Sequence, residues 1–192
     1  MKLYVDFDGV IGNTIEAITT LYDLDFHNAP NYKKVDWSDV ETWRFEELSA
    51  ATEKQLDDYF NDDRFFVFLR PMENVVEILE YLSRNHEIEV VTVGYPKNVF
   101  LKGFWLKKHL PFIKRCRGVI LRDDEDKSCV DMSDGVLIDD VAKNLAASNA
   151  RLKICYGDEY VWNKDLPDDA VRCVNWTEVL DTIEEAEWIN GI

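Results

Sequence analysis

Four carboxylates close two apolar runs in this chain: Leu3-Tyr4-Val5-Asp6-Phe7-Asp8-Gly9-Val10 near the start, and Val136-Leu137-Ile138-Asp139-Asp140 much later. An apolar run that stops at carboxylates reads as a buried parallel strand whose C-terminal end opens onto a crevice. Two such strands side by side would bring all four carboxylates to one point. That much negative charge calls for a divalent cation, and Mg²⁺ suits it best because it prefers oxygen ligands and phosphate co-ligands. Gly9 lets the backbone turn tightly, so that Asp6 and Asp8 can both aim into the crevice. One carboxylate could bind the metal and attack phosphorus while the other moves a proton. Thr92 ends a second apolar run, where its hydroxyl and the N–H groups of Val93 and Gly94 could cradle a phosphate at the approach to a helix. Lys127, shortly before the second acidic strand, could place an ammonium on the same phosphate.

Each of these residues also has a plain reading. Asp-x-Asp-Gly occurs in calcium loops, but Val10 stands where such a loop would continue with Asp or Asn, and no Glu closes a matching loop. Lys127 could simply balance the acids at 123–126, and Thr92 could be an ordinary β-branched strand residue. It is the ordered set of Asp6, Asp8, Thr92, Lys127, Asp139 and Asp140 that points to phosphoryl transfer.

The rest of the chain must position that set. Its 192 residues suit one domain, or a core with a modest insertion. With 46% hydrophobic and 31% charged residues it is a soluble globular composition, and no stretch is apolar enough to span a bilayer. A net charge of −16 argues against a nucleic-acid polymer or an anionic membrane as partner, while leaving room for a small phosphorylated ligand. No secretory leader pattern is present, and the four widely spaced cysteines fit free thiols in a reducing cytoplasm. A homodimer is compatible with all of this.

Strand and helix signals alternate after residue 70. Pro71 opens an amphipathic run through Leu82, Ile88 to Val93 is a strand, and Phe100 to Leu110 is a helix. Val119 to Leu121 and Val136 to Ile138 read as short buried strands, Ala142 to Asn149 as a short helix, and Leu152 to Tyr156 as the last strand. A closing helix runs from Trp176 to Ile189 with Thr177 as its cap. Such β-α repetition predicts an α/β fold, a three-layer doubly wound parallel sheet of Rossmann type with right-handed crossovers. Residues 13–69 break the rhythm. They contain helical patches at Ile15 to Phe26 and Glu53 to Phe60 and many aromatics, among them Trp37, Trp43, Phe45, Tyr59 and Phe65. The stretch reads as a mostly helical cap inserted after the first strand, leaving 1–12 and 70–192 as the core. Its rings could form only a mini-core. They also offer flat surfaces for a nucleobase, with Trp43 or Phe45 the expected stacking residue.

The ordered motifs resemble the haloacid dehalogenase superfamily of phosphotransferases. Within it, Phe68-Leu69-Arg70-Pro71 through Thr92, Phe104 to Ile113 and Leu137-Ile138-Asp139-Asp140 resemble the 5'(3')-deoxyribonucleotidase family. The resemblance implies that Asp6 is a nucleophile forming an aspartyl-phosphate and that Asp8 is the acid and then the base. It further implies Mg²⁺ held by Asp6, the Asp8 carbonyl and Asp139, with Asp140 behind them, and phosphoryl oxygens held by Thr92 and Lys127. The implied substrate is a nucleoside monophosphate, or else another small phosphate ester. Thr14 stands where the family commonly has a base-holding aromatic, and the second motif reads Thr92-Val93-Gly94-Tyr95-Pro96. A different class, a receiver-like phosphoacceptor domain, would need the adjacent acidic pair early and has no use for a large insertion.

Overall fold

The computed structural model describes residues 1–41, 45–120 and 126–190, the side chains of 189 and 190 aside. In chain order the elements are β1 (Lys2–Val5), α1 (Thr14–Phe26), α2 (Glu53–Tyr59), α3 (Asp63–Phe68), α4 (Val75–Leu82), β2 (Glu87–Gly94), α5 (Pro96–His109), β3 (Arg115–Ile120), β4 (Gly135–Asp139), α6 (Ala142–Ala147), β5 (Leu152–Tyr156), β6 (Ala170–Cys173) and α7 (Trp176–Asn190). Short 3₁₀ turns lie at Trp37–Asp39 and Phe45–Glu47.

All six strands pair in parallel in the order β3-β2-β1-β4-β5-β6. Successive strand side chains go to opposite faces, and both faces are buried here. Leu3, Val5, Val90, Val136, Ile138 and Ile154 join one apolar cluster, while Tyr4, Val91, Leu137 and Cys155 join the other. Helices α4 and α7 pack together on the first cluster, and Leu145 of α6 enters the second. The chain builds outward from β1 to β2 and β3, then returns to lay β4 on the other side of β1. Strand order therefore reverses between β1 and β4, which opens a crevice at their C-terminal ends.

Between Asp6 and α4 no described residue joins the sheet. The chain departs at Gly12–Asn13 and returns at Arg70–Met72, and the two crossings are tied together. Asn13 N–H donates to Arg70 O and Met72 N–H to Ile11 O, each at 2.8 Å. Helices α2 and α3 pack on α1. The aromatics make a core of their own around Tyr22, whose ring lies within 6 Å of Phe26, Tyr32 and Phe45. The Tyr22 hydroxyl donates to Lys33 O at 2.8 Å and accepts from Ala50 N–H at 3.0 Å, so the fully buried phenol is satisfied.

Several element boundaries differ from the sequence expectation. Helix α5 begins at Pro96, not Phe100, because a proline at the first helical position is preorganised even though the first turn carries no apolar signal. Strand β3 is a longer edge strand in which only Val119 is buried, because it has a neighbour on one side only; Leu121 lies outside the described residues. Helix α6 stops at Ala147, two residues before Asn149. Strand β5 is not the last, since β6 follows as a short, partly exposed edge. Thr177 lies inside α7, and Asn175 does the capping: its side-chain oxygen accepts Glu178 N–H at 3.0 Å while Glu178 accepts Val174 N–H at 2.9 Å. The four cysteines are free thiols. Among the described residues no helix is long and apolar enough to cross a membrane.

The β1–β4 contact is close-packed at its start. Gly135 pairs with Lys2, and a Cβ at Gly135 would stand 2.1 Å from the Lys2 carbonyl oxygen, a backbone atom that cannot swing aside. Gly135→Ala is therefore expected to cost about 1–3 kcal/mol or more, in the range of overpacked cores. A urea melt of the variant should show a lower midpoint, and an unchanged midpoint would mean that the two strands separate freely there.

Candidate active site

Asp6 directly follows β1, and its N–H donates to Ile138 O at 2.9 Å, continuing the strand pairing to the last possible residue. This register sets Asp6 beside the end of β4, where Asp139 and Asp140 emerge. Carboxylate oxygens of Asp6, Asp139 and Asp140 all lie within 4.8 Å of one another, and all three residues are buried. Lys127, fully buried, donates to Asp6 Oδ1 and Asp139 Oδ2 at 2.5 Å each. Asp139 also accepts Val141 N–H at 2.9 Å and the side-chain amide of Asn144 at 3.1 Å, so its orientation is locked. Asp140 Oδ2 accepts the indole N–H of Trp162 at 3.1 Å.

Burial pushes the Asp6 carboxyl up to about 7; the ammonium of Lys127 opposes the rise, and the charges of Asp139 and Asp8 add to it. Burial likewise holds Asp140 well above the usual carboxylate range, helped by Asp6 and Asp139. Burial works against the charge on Lys127, but Asp139 and Asp6 outweigh it and raise its pKa above the ordinary lysine value.

Asp8 turns away from this cluster. Its Oδ2 accepts from Lys102 and its Oδ1 from the Thr14 hydroxyl, the latter at 2.9 Å. Lys102 is fully buried and also donates to Thr92 Oγ1 at 2.8 Å. The loop that swings the two acids apart is short: Ile11 and Gly12 N–H groups both return to Phe7 O, and Gly9 N–H donates to Gly12 O. Gly9 has φ +71, and a Cβ there would stand 2.8 Å from Asp140 Oδ2. Both the turn and the approach of Asp140 therefore require glycine.

Asp6, Asp8, Thr92, Lys127, Asp139 and Asp140 thus meet at the C-terminal ends of β1, β2 and β4. Val93 and Gly94 end β2, with α5 starting at Pro96. Asp140 is nearer the centre than expected, its carboxylate standing in the cluster instead of behind it. Phe45 is a correction: it is 6% exposed and its ring meets Tyr22 edge-on in the helical segment's own core, where it presents no face to a ligand. Trp43 lies outside the described residues.

Sequence reasoning passed over Lys102, Asn144 and Trp162, and noted Thr14 only as a departure from the family's aromatic. Lys102 had a signal. Helix α5 buries Asn98, Lys102, Trp105 and Leu106, which share one face, while Phe100 and Phe104 stay exposed. A lysine at a core position of a helix, four residues after a buried asparagine, marks a buried partner of opposite charge.

Three buried carboxylates within one ligand sphere, with a fourth on Lys102, suit a hard cation with oxygen ligands. The two lysines supply two positive charges against four carboxylates, so the donor set is still electron-rich with both in place. This cluster could bind a metal ion.

The chain is similar in structure to a haloacid dehalogenase-like family hydrolase from Streptococcus pneumoniae, with a TM-score of 0.61 and 14% identity over 95% of this chain and 97% of that one. A haloacid dehalogenase superfamily hydrolase of subfamily IA from Geobacter sulfurreducens PCA gives 0.61 and 14% over 95% and 96%. A hydrolase of the same family from Deinococcus radiodurans R1, solved with bound phosphate and sodium, gives 0.60 and 14% over 98% and 97%. At such identities the likeness shows the fold. No curated protein matches the chain by sequence. A family model described as "5' nucleotidase, deoxy (Pyrimidine), cytosolic type C protein" matches residues 1–188. The acids that end β1 and β4 are thus set in a hydrolase of phosphate monoesters with the haloacid dehalogenase fold, and the chain belongs to the deoxy 5'-nucleotidase family of cytosolic type C.

Proposed function

We propose that the protein is a Mg²⁺-dependent phosphatase of nucleoside monophosphates that works through an aspartyl-phosphate on Asp6. The observation that carries this reading is the pair of separately held carboxylates: Asp6 on Lys127, and Asp8 on Lys102 and Thr14. Two acids in different surroundings can take different parts in one reaction. Asp6 attacks phosphorus. Asp8 gives a proton to the leaving ester oxygen, then takes one from the water that attacks the acyl phosphate, freeing inorganic phosphate and restoring Asp6.

Thr92, with the N–H groups of Val93 and Gly94, holds phosphoryl oxygens, and the ammonium groups of Lys102 and Lys127 face the charge that builds on them. A Mg²⁺ ion would be held by Asp6, Asp139, the Asp8 carbonyl and the neighbouring Asp140, and would offset negative charge on the transferring group. Residues 13–69 act as the cap that closes the strand ends from water. The matched family's description, which names a deoxy nucleotidase, supports nucleotides over other phosphate esters. The free thiols are in keeping with a reducing, cytoplasmic setting.

The reading is tested by measuring phosphate release from a panel of nucleoside monophosphates and sugar phosphates. Turnover is expected to be fastest on a nucleotide, to vanish on treatment with EDTA and to return with Mg²⁺. Preference for a base-free ester would move the protein to other small substrates.

Asp6→Asn is expected to fold and to lose about a thousandfold or more in kcat, as happens when a nucleophile is removed from a catalytic unit. Near-normal turnover would exclude the covalent intermediate.

Asp8→Asn should slow phosphorylation by a nucleotide far more than by an aryl phosphate, whose leaving group needs no proton. Rapid-quench bursts report this directly, and equal slowing with both substrates would reduce Asp8 to a positioning role.

A further inference from the structure

Beyond β5 the chain forms a loop that the chemistry above leaves without a task. Gly157 turns it with φ +92. Asn163, fully buried, accepts Tyr160 N–H at 2.8 Å and donates to Asp158 O at 3.1 Å. Arg172 of β6 donates to the carbonyls of Gly157, Asp158 and Asn163 at 3.2, 2.9 and 2.8 Å. So many bonds into one short loop give it a fixed shape. That shape presents two rings, Tyr160 and Trp162, stacked at 4.5 Å and within 9° of parallel.

The loop also joins the two parts of the molecule. Val161 N–H donates to Glu41 O of the helical segment at 3.3 Å, Ala142 N–H of α6 donates to Trp162 O at 3.3 Å, and the Trp162 indole donates to Asp140. Between loop and helical segment lies a cleft of about 170 Å³. Trp37, 48% exposed, lines it from the helical segment; Tyr160 and Trp162 line it from the loop, and Met72, Asp140 and Asp158 also form its walls.

We propose that this cleft is the subsite for the planar ring of the leaving group, a nucleobase, and that Trp37, Tyr160 and Trp162 set the preference for it. The inference rests on the nucleotidase reading and adds the location of the base. Size supports it, since a cavity of about 150 Å³ is known to take one six-membered ring. The chemistry of the walls supports it as well, because aromatic faces stack on bases whatever their sequence of donors and acceptors, while a carboxylate such as Asp158 can accept from an exocyclic amine. The cleft adjoins the acids, because Gly9 and Asp140 are among the residues that line it. A base seated there would keep its ester within reach of the crevice. Phe45 is committed to the other core and leaves this task to the loop.

The test compares kcat/KM for a nucleoside monophosphate and for ribose 5-phosphate in wild type, Trp37→Ala, Tyr160→Ala, Trp37→Phe and Tyr160→Phe. Each alanine variant is expected to lower the nucleotide-to-sugar ratio by about tenfold, mainly through KM for the nucleotide, and each phenylalanine variant to restore most of it. A ratio unchanged in both alanine variants, in an enzyme that hydrolyses nucleotides, overturns the cleft and leaves the nucleotidase reading standing. A wild type that hydrolyses ribose 5-phosphate but no nucleotide overturns both. Because all the variants are scored by a ratio within one preparation, partial unfolding cannot imitate the expected result.

Discussion

Everything at the crevice depends on holding four carboxyl groups close together at the junction of β1 and β4. Removing an ion from water costs several kcal/mol even after relaxation, and four acids in one place repel one another besides. The fold answers with two fully buried lysines drawn from distant parts of the chain. Lys127 bridges Asp6 to Asp139, and Lys102 bridges Asp8 to Thr92. Each ammonium thus ties together strands that would otherwise be pushed apart by their own ends. The same arrangement leaves the two acids of the first motif in unlike surroundings, which suits the separate parts proposed for them.

This demand reaches into the supporting elements. Helix α5 turns Asn98 and Lys102 inward and leaves Phe100 and Phe104, packed edge to face at 4.8 Å, in the solvent. A helix selected for packing alone would do the reverse. Helix α6 gives up Asn144 to orient Asp139, and Gly9 must lack a side chain for Asp140 to approach. In each case local stability yields to the geometry of the acids.

The helical segment is joined to the crevice at both of its chain crossings and again through the 157–163 loop. Its interior is organised by Tyr22, and on its surface Arg64 binds Asp25 with two nitrogens at 2.8 and 2.9 Å. Large rings bury themselves wherever a small core allows it, so most of the aromatics in the segment serve its own packing. Among its described residues, Trp37 is the aromatic that lines the cleft shared with Gly9 and Asp140.

What the sequence determined by itself is what short-range pattern encodes. Strands buried on both faces appear as unbroken apolar runs, carboxylates at their ends announce a crevice, and Asp-x-Asp-Gly followed in order by Thr92, Lys127 and Asp139-Asp140 points to phosphoryl transfer. The parallel sheet was legible in this way, and the expected site residues Asp6, Asp8, Thr92, Lys127, Asp139 and Asp140 stand near its strand ends. Edge strands were legible only in part: β3 showed only its end at Val119-Ile120, and β6 not at all, because both are half exposed and carry mixed residues without a clear period. Nor were partners chosen across the fold. Lys102 meets Asp8 over 94 positions and Trp162 meets Asp140 over 22; the buried face of α5 marks Lys102 as an inward lysine, but nothing local names the partner of either side chain. Which ring packs inward and which lines a cleft was likewise decided by tertiary structure, since burial is a property of neighbours brought together by the fold and not of the residue that is buried.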